Sequence, residues 1–213
     1  MVRRAHRVFL LSPARSDGKR AALLTRPAAA FDLALRLRGP GAPLGDVFAF
    51  TSGLYFRGKL AYARAFARPP RGCPAALVIT PGRGLMSADD VVTLADLSAF
   101  GRVAVDAADL RYRVPLEEAV TAVCAGLQPH DEVVLLGSIA SDKYVAVLEP
   151  LLGPRLRFPR DFVGRGDMSR GALMLRSVAA RLELDYLPLS GAPRSGPRAP
   201  RVSESSPRPA ARR

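Results

Sequence analysis

Short, nearly unbroken apolar runs recur along this chain, each separated from the next by a stretch patterned like a helix. Val8-Phe9-Leu10-Leu11, Ala76-Leu77-Val78-Ile79 and Val133-Val134-Leu135-Leu136 show no alternation with polar residues. A strand with one solvated face alternates, whereas a strand covered by helices on both faces reads as a continuous apolar run. The pattern predicts strands over 8–12, 47–50, 77–80, 103–106, 132–137, 156–158 and 184–187. It predicts helices over 28–37, 56–66, 87–100, 116–127, 141–152 and 168–182. Ser87 stands three residues before Asp90, the spacing of a capping box, and Pro115 suits a first helical turn. Pro150 should end or bend its helix. The expected fold is therefore α/β, one domain over 7–189 with a mainly parallel central sheet flanked by helices.

Of the 213 residues 48% are hydrophobic, enough to bury a sizeable core. No apolar run approaches the roughly 20 residues needed to span a bilayer. The basic start carries only a short apolar segment, 8–11, which predicts no secretory leader and a cytoplasmic protein without a membrane partner. Cys73 and Cys124 belong to no paired spacing and read as reduced thiols, Cys124 as a small core residue and Cys73 in a turn. His6 and His130 have no partner at metal-ligand spacing, so neither metal nor cofactor is expected.

The formal net charge of +13 is mostly terminal: residues 1–20 and 190–213 carry +5 each. Arginine outnumbers lysine 29 to 3, a skew that a GC-rich genome would itself produce. Residues 190–213 contain five prolines and six arginines with one aliphatic side chain larger than alanine, Val202. That composition predicts a disordered tail, either a plain solvated extension or an arginine arm that follows a phosphate backbone.

Four of five notable segments begin just after an expected strand, where open α/β sheets place their ligands. Leu11-Ser12-Pro13-Ala14 closes the first strand and offers Ser12. Thr80-Pro81-Gly82-Arg83-Gly84 presents Arg83 at the same edge. Gly137-Ser138-Ile139-Ala140-Ser141-Asp142-Lys143-Tyr144 supplies Ser138, Ser141, Asp142 and Tyr144. Ser141 or Asp142 would cap the next helix, whose free amides would attract an anion; an ordinary capped turn would look the same. Phe162 to Arg176 places Arg165 and Arg170 around Asp167 and Ser169, suited to a phosphate or carboxylate, or to a plain Arg–Asp-paired helix start. It lacks the Walker spacing. The fifth segment, Ser52 to Lys59, sets Tyr55 and Phe56 among cations including Lys59, an arrangement that fits base stacking or simple half-burial.

Read in order, LSPA (11–14), Gly53-Leu54-Tyr55, ASDKY (140–144) and RGDMSRG (165–171) resemble the bacterial YaaA family of peroxide-stress proteins. The likeness is confined to these blocks, Arg83-Gly84-Leu85-Met86 matches only loosely, and the family's lysine-rich middle has no clear counterpart. The resemblance implies a cytosolic protein in the response to hydrogen peroxide, with DNA binding and limitation of iron damage as roles. Three functions follow as expectations. The first is binding of DNA or a nucleotide-like anion, with Arg165 and Arg170 on phosphate and Lys59 and Arg83 at the rim. The second is an enzyme acting on a nucleoside, base or sugar phosphate, with Asp142 or Asp167 as general acid or base and Tyr144 on the ligand. The third is a partner-binding scaffold.

Overall fold

The computed structural model describes residues 5–194 and Gly196. Most of the expected tail, including five of its six arginines, lies outside the described residues. The chain runs β1 (Arg7–Leu11), α1 (Lys19–Thr25), α2 (Asp32–Arg38), β2 (Ala42–Pro43), α3 (Leu44–Ser52) and α4 (Leu54–Phe66). It continues β3 (Ala76–Thr80), β4 (Gly84–Ser87), β5 (Val91–Val92), α5 (Leu94–Gly101), α6 (Leu110–Ala125) and β6 (Glu132–Leu136). The last elements are α7 (Asp142–Leu152), β7 (Leu156–Pro159), α8 (Asp167–Ala180) and β8 (Tyr186–Pro188). No helix among the described residues is long and apolar enough to cross a membrane.

The fold is α/β, as the apolar runs imply. The central sheet has the order β4-β3-β1-β6-β7-β8, in which β3, β1, β6 and β7 are parallel and the two edge strands antiparallel. Alternate residues of the inner strands enter two separate cores. Phe9, Leu11, Val78, Val134 and Leu136 face α3, α4 and α8. Val8, Leu10, Leu77, Ile79, Val133 and Leu135 face α6 and α7. Two covered faces leave no place for polar alternation, which is why these runs are unbroken.

Several local expectations are corrected. Residues 47–50 belong to α3, not to a strand: Leu44, Val47 and Phe48 are buried at i, i+3 and i+4, a helical stripe that a four-residue window cannot reveal. Residues 103–106 form no strand either. The place beside β3 is taken by β4, which folds back through the Pro81–Arg83 turn, and the 103–106 run pairs with no strand. The α5 helix starts at Leu94, with the capping box made by Thr93 and Asp96; Ser87 and Asp90 form a side-chain-bonded turn before it. Helix α6 begins at Leu110 under an Asp109 cap and carries Pro115 in its interior. Beyond Leu189 the described chain still touches the domain: Ala192 packs on the α6–α7 core and Arg194 pairs with Asp142.

The closest helix pair is α4 against α8, crossing at Gly58 and Gly171. A Cβ on Gly58 would sit 2.7 Å from the Gly171 carbonyl oxygen, and one on Gly171 would sit 2.8 Å from that of Leu54. In an exposed helix, Gly→Ala stabilises by about 1 kcal/mol. Here the added methyl meets rigid backbone, and overpacking costs about 1–3 kcal/mol. Gly171→Ala should therefore lower the unfolding free energy in urea; an increase would show that the two helices do not meet so closely.

Candidate functional site

The connection leaving β1 runs through α1 to α4 on one face of the sheet, whereas that leaving β6 enters α7 on the other. Diverging connections between adjacent parallel strands open a crevice at their carboxyl ends. A cleft of about 830 Å³ lies there. Gly137 keeps the end of β6 beside β1, since a Cβ on it would stand 3.1 Å from the Ser12 Cβ.

Five of the anticipated residues line this cleft: Ser12 after β1, Tyr55 on α4, Ser138 after β6, Tyr144 on α7 and Asp167 at the start of α8. Two more lie directly behind the wall. Lys59, one turn along α4 from Tyr55, is wholly buried. Its Nζ donates to the Ser12 carbonyl at 2.5 Å and to Ser12 Oγ at 2.9 Å, and it lies 4.4 Å from the centre of the Tyr55 ring. Arg170 is also buried; its Nε donates to the Phe162 carbonyl at 3.1 Å and a terminal nitrogen stands 3.5 Å from the Asp167 carboxylate.

The other anticipated residues are elsewhere. Arg83 is half-exposed and paired with Asp96. Asp142 is 70% exposed and engaged by Arg194 outside the cleft. Ser141 precedes α7 without bonding it through its side chain. Arg165 donates to the Ser169 hydroxyl at 3.2 Å, and neither residue is in the lining of the cleft. The reason is directional: the first residue of a helix after a strand need not point back over the strand end, whereas Lys143 and Tyr144 do. Neither Asp142 as acid or base nor Arg165 and Arg83 as phosphate clamps are supported by these positions.

Four cations of the lining were not singled out from the sequence, and the two that matter most are Lys143 and Arg102. Neither makes an ion pair among the described residues, in contrast to Arg15 with Asp17 and Arg111 with Asp109 in the same lining. Lys143 sits inside the ASDKY block, and Arg102 directly before a segment misread as a strand. The contact between Ser12 and Lys59 was also missed, because the two are 47 residues apart.

Burial sets the electrostatics. Lys59 is pushed down to about 7, chiefly by desolvation; Asp167 opposes the shift while Lys143 and Arg170 reinforce it. Tyr55 is pushed up to about 12, again by burial. Its hydroxyl stands near Ser12 and Arg170 yet makes no hydrogen bond of good geometry, an unpartnered polar atom at the cleft wall. Burial likewise raises Tyr144, whose hydroxyl also comes beside Ser12.

An amine with a folded-state pKa near 7 against 10.5 when exposed binds fewer protons folded than unfolded between those values. Stability contributed by Lys59 therefore rises with pH across that window and is lowest below it. In urea titrations the wild type should gain on Lys59→Met from pH 7 to 10, by at most about 1.4 kcal/mol per pH unit. A constant difference between the two proteins would mean that Lys59 titrates as an exposed lysine does. In comparisons with known proteins, the chain matches no protein-family model, no curated sequence and no solved structure.

Proposed function

We propose that the switch-point cleft binds a phosphate-bearing ligand of nucleotide size, either free or as part of a nucleic-acid strand. The observation that carries this reading is the pair Lys143 and Arg102, two cations without ion-pair partners among the described residues, lining the same 830 Å³ cleft. Such a volume falls in the range of small-molecule sites, about 300–1,000 Å³. An anion there would gain charge-assisted hydrogen bonds without first breaking an ion pair. The resemblance to the YaaA family adds support for a nucleic-acid ligand and for a cytosolic setting in the oxidative-stress response.

Thermal-shift and calorimetric titrations should separate the two sources of phosphate. Free nucleotides and sugar phosphates should raise the melting temperature if the cleft takes a small ligand. Single- or double-stranded DNA alone should do so, with affinity falling steeply between low and high salt, if the ligand is a strand. In either case Lys143→Ala and Arg102→Ala should each weaken binding about tenfold, the equivalent of roughly 1.4 kcal/mol. No binding of nucleotides, sugar phosphates or DNA at millimolar concentration would overturn the proposal.

A further inference from the structure

We propose that Ser12 and Lys59 form a nucleophile–base pair that hydrolyses a carboxylic ester of a phosphate-bearing alcohol held in the cleft. The inference rests on the ligand reading above and adds a reaction to it. A buried lysine normally has a carboxylate partner, because an isolated ammonium in the core is costly. Lys59 instead meets only Ser12, through Oγ at 2.9 Å and the carbonyl at 2.5 Å, and the faces of Tyr55 and Phe56. The groups that act on it through space are Asp167 and Arg170 from α8 and Lys143 from α7, none of them in hydrogen-bond contact with its amine. Ser12 Oγ accepts from this amine and donates to the Leu136 carbonyl at 3.3 Å; with the amine unprotonated, a turn of the hydroxyl toward Nζ gives the parts of an activated nucleophile. Burial places that amine near neutrality, so a large fraction is unprotonated at ordinary pH and able to accept a proton.

Ser12 lines the cleft, and the Tyr55 hydroxyl near it is a buried atom without a hydrogen-bond partner. With the substrate phosphate on Lys143 and Arg102, the ester carbonyl would lie over Ser12. Its Oγ forms a bond to the carbonyl carbon while its proton passes to Lys59 Nζ and the π pair moves onto the carbonyl oxygen. Collapse breaks the bond to the alkoxy oxygen, which takes the proton from Lys59 and leaves as the phosphate-bearing alcohol. Water then attacks the acyl-serine, giving its proton to Lys59, and collapse returns that proton to Ser12 and releases the acid. The net change is ester plus water to acid plus alcohol.

A fluorophosphonate probe tests the pair directly, since Oγ attack forms a P–O bond and expels fluoride. Intact-mass and peptide analysis should find one adduct, on Ser12, with a rate that rises through about pH 7. Ser12→Ala should abolish it, and Lys59→Met should slow it about 100-fold. No adduct on Ser12 in folded protein, or undiminished labelling of Lys59→Met, would overturn the proposal. Should Lys59→Met not fold, a pH-independent labelling rate in the wild type would do the same. Nucleotide binding without labelling would remove the dyad and leave the ligand site; labelling without phosphate binding would do the reverse.

Discussion

The ammonium of Lys59 is the charge on which the rest of the site depends. Two other buried charged groups have firm partners: Asp131 accepts from the backbone amides of His6 and Gln128, and Arg170 faces Asp167 and the Phe162 carbonyl. Lys59 has only the end of β1 and two aromatic faces. A lysine in that position is held by geometry rather than by a counter-charge. The cost of desolvation appears in its lowered proton affinity and not in a salt bridge. The same burial leaves Tyr55 without a hydrogen-bond partner.

That geometry follows from backbone approach. Helices α4 and α8 can come together only where Gly58 meets Gly171, and the residues flanking that crossing are Tyr55, Lys59, Asp167 and Arg170. Gly137 does the same for β1 and β6 at the strand ends. Three small residues, on α4, α8 and after β6, thus bring four elements to one point. A sheet that sends β1 to one face and β6 to the other opens the cleft at that point.

Much of the architecture was legible in the chain because doubly covered strands leave a specific mark, and β1, β3 and β6 carry it. What was not legible depended on long-range competition. The apolar run at 47–50 has the length of a strand but the stripe of a helix. The run at 103–106 has the composition of a strand, but β4 holds the place beside β3. Within the site, the motif blocks pointed to the right loops: Ser12, Tyr55, Ser138, Tyr144 and Asp167 all reach the cleft. Side-chain direction was beyond the sequence, so Asp142 and Arg165 were favoured over Lys143, one residue or one helix away. The Ser12–Lys59 contact joins a strand end to the middle of a distant helix and belongs to no short motif.

The chain contains only three lysines, Lys19, Lys59 and Lys143. Labelling lysine with carbon-13 at Cε therefore yields a spectrum in which the signal lost in Lys59→Met identifies Lys59. Followed from pH 5 to pH 11, that signal should pass through its transition near pH 7. A transition above pH 10 would mean that Lys59 is solvated or paired with a carboxylate, and would contradict a buried amine resting on Ser12.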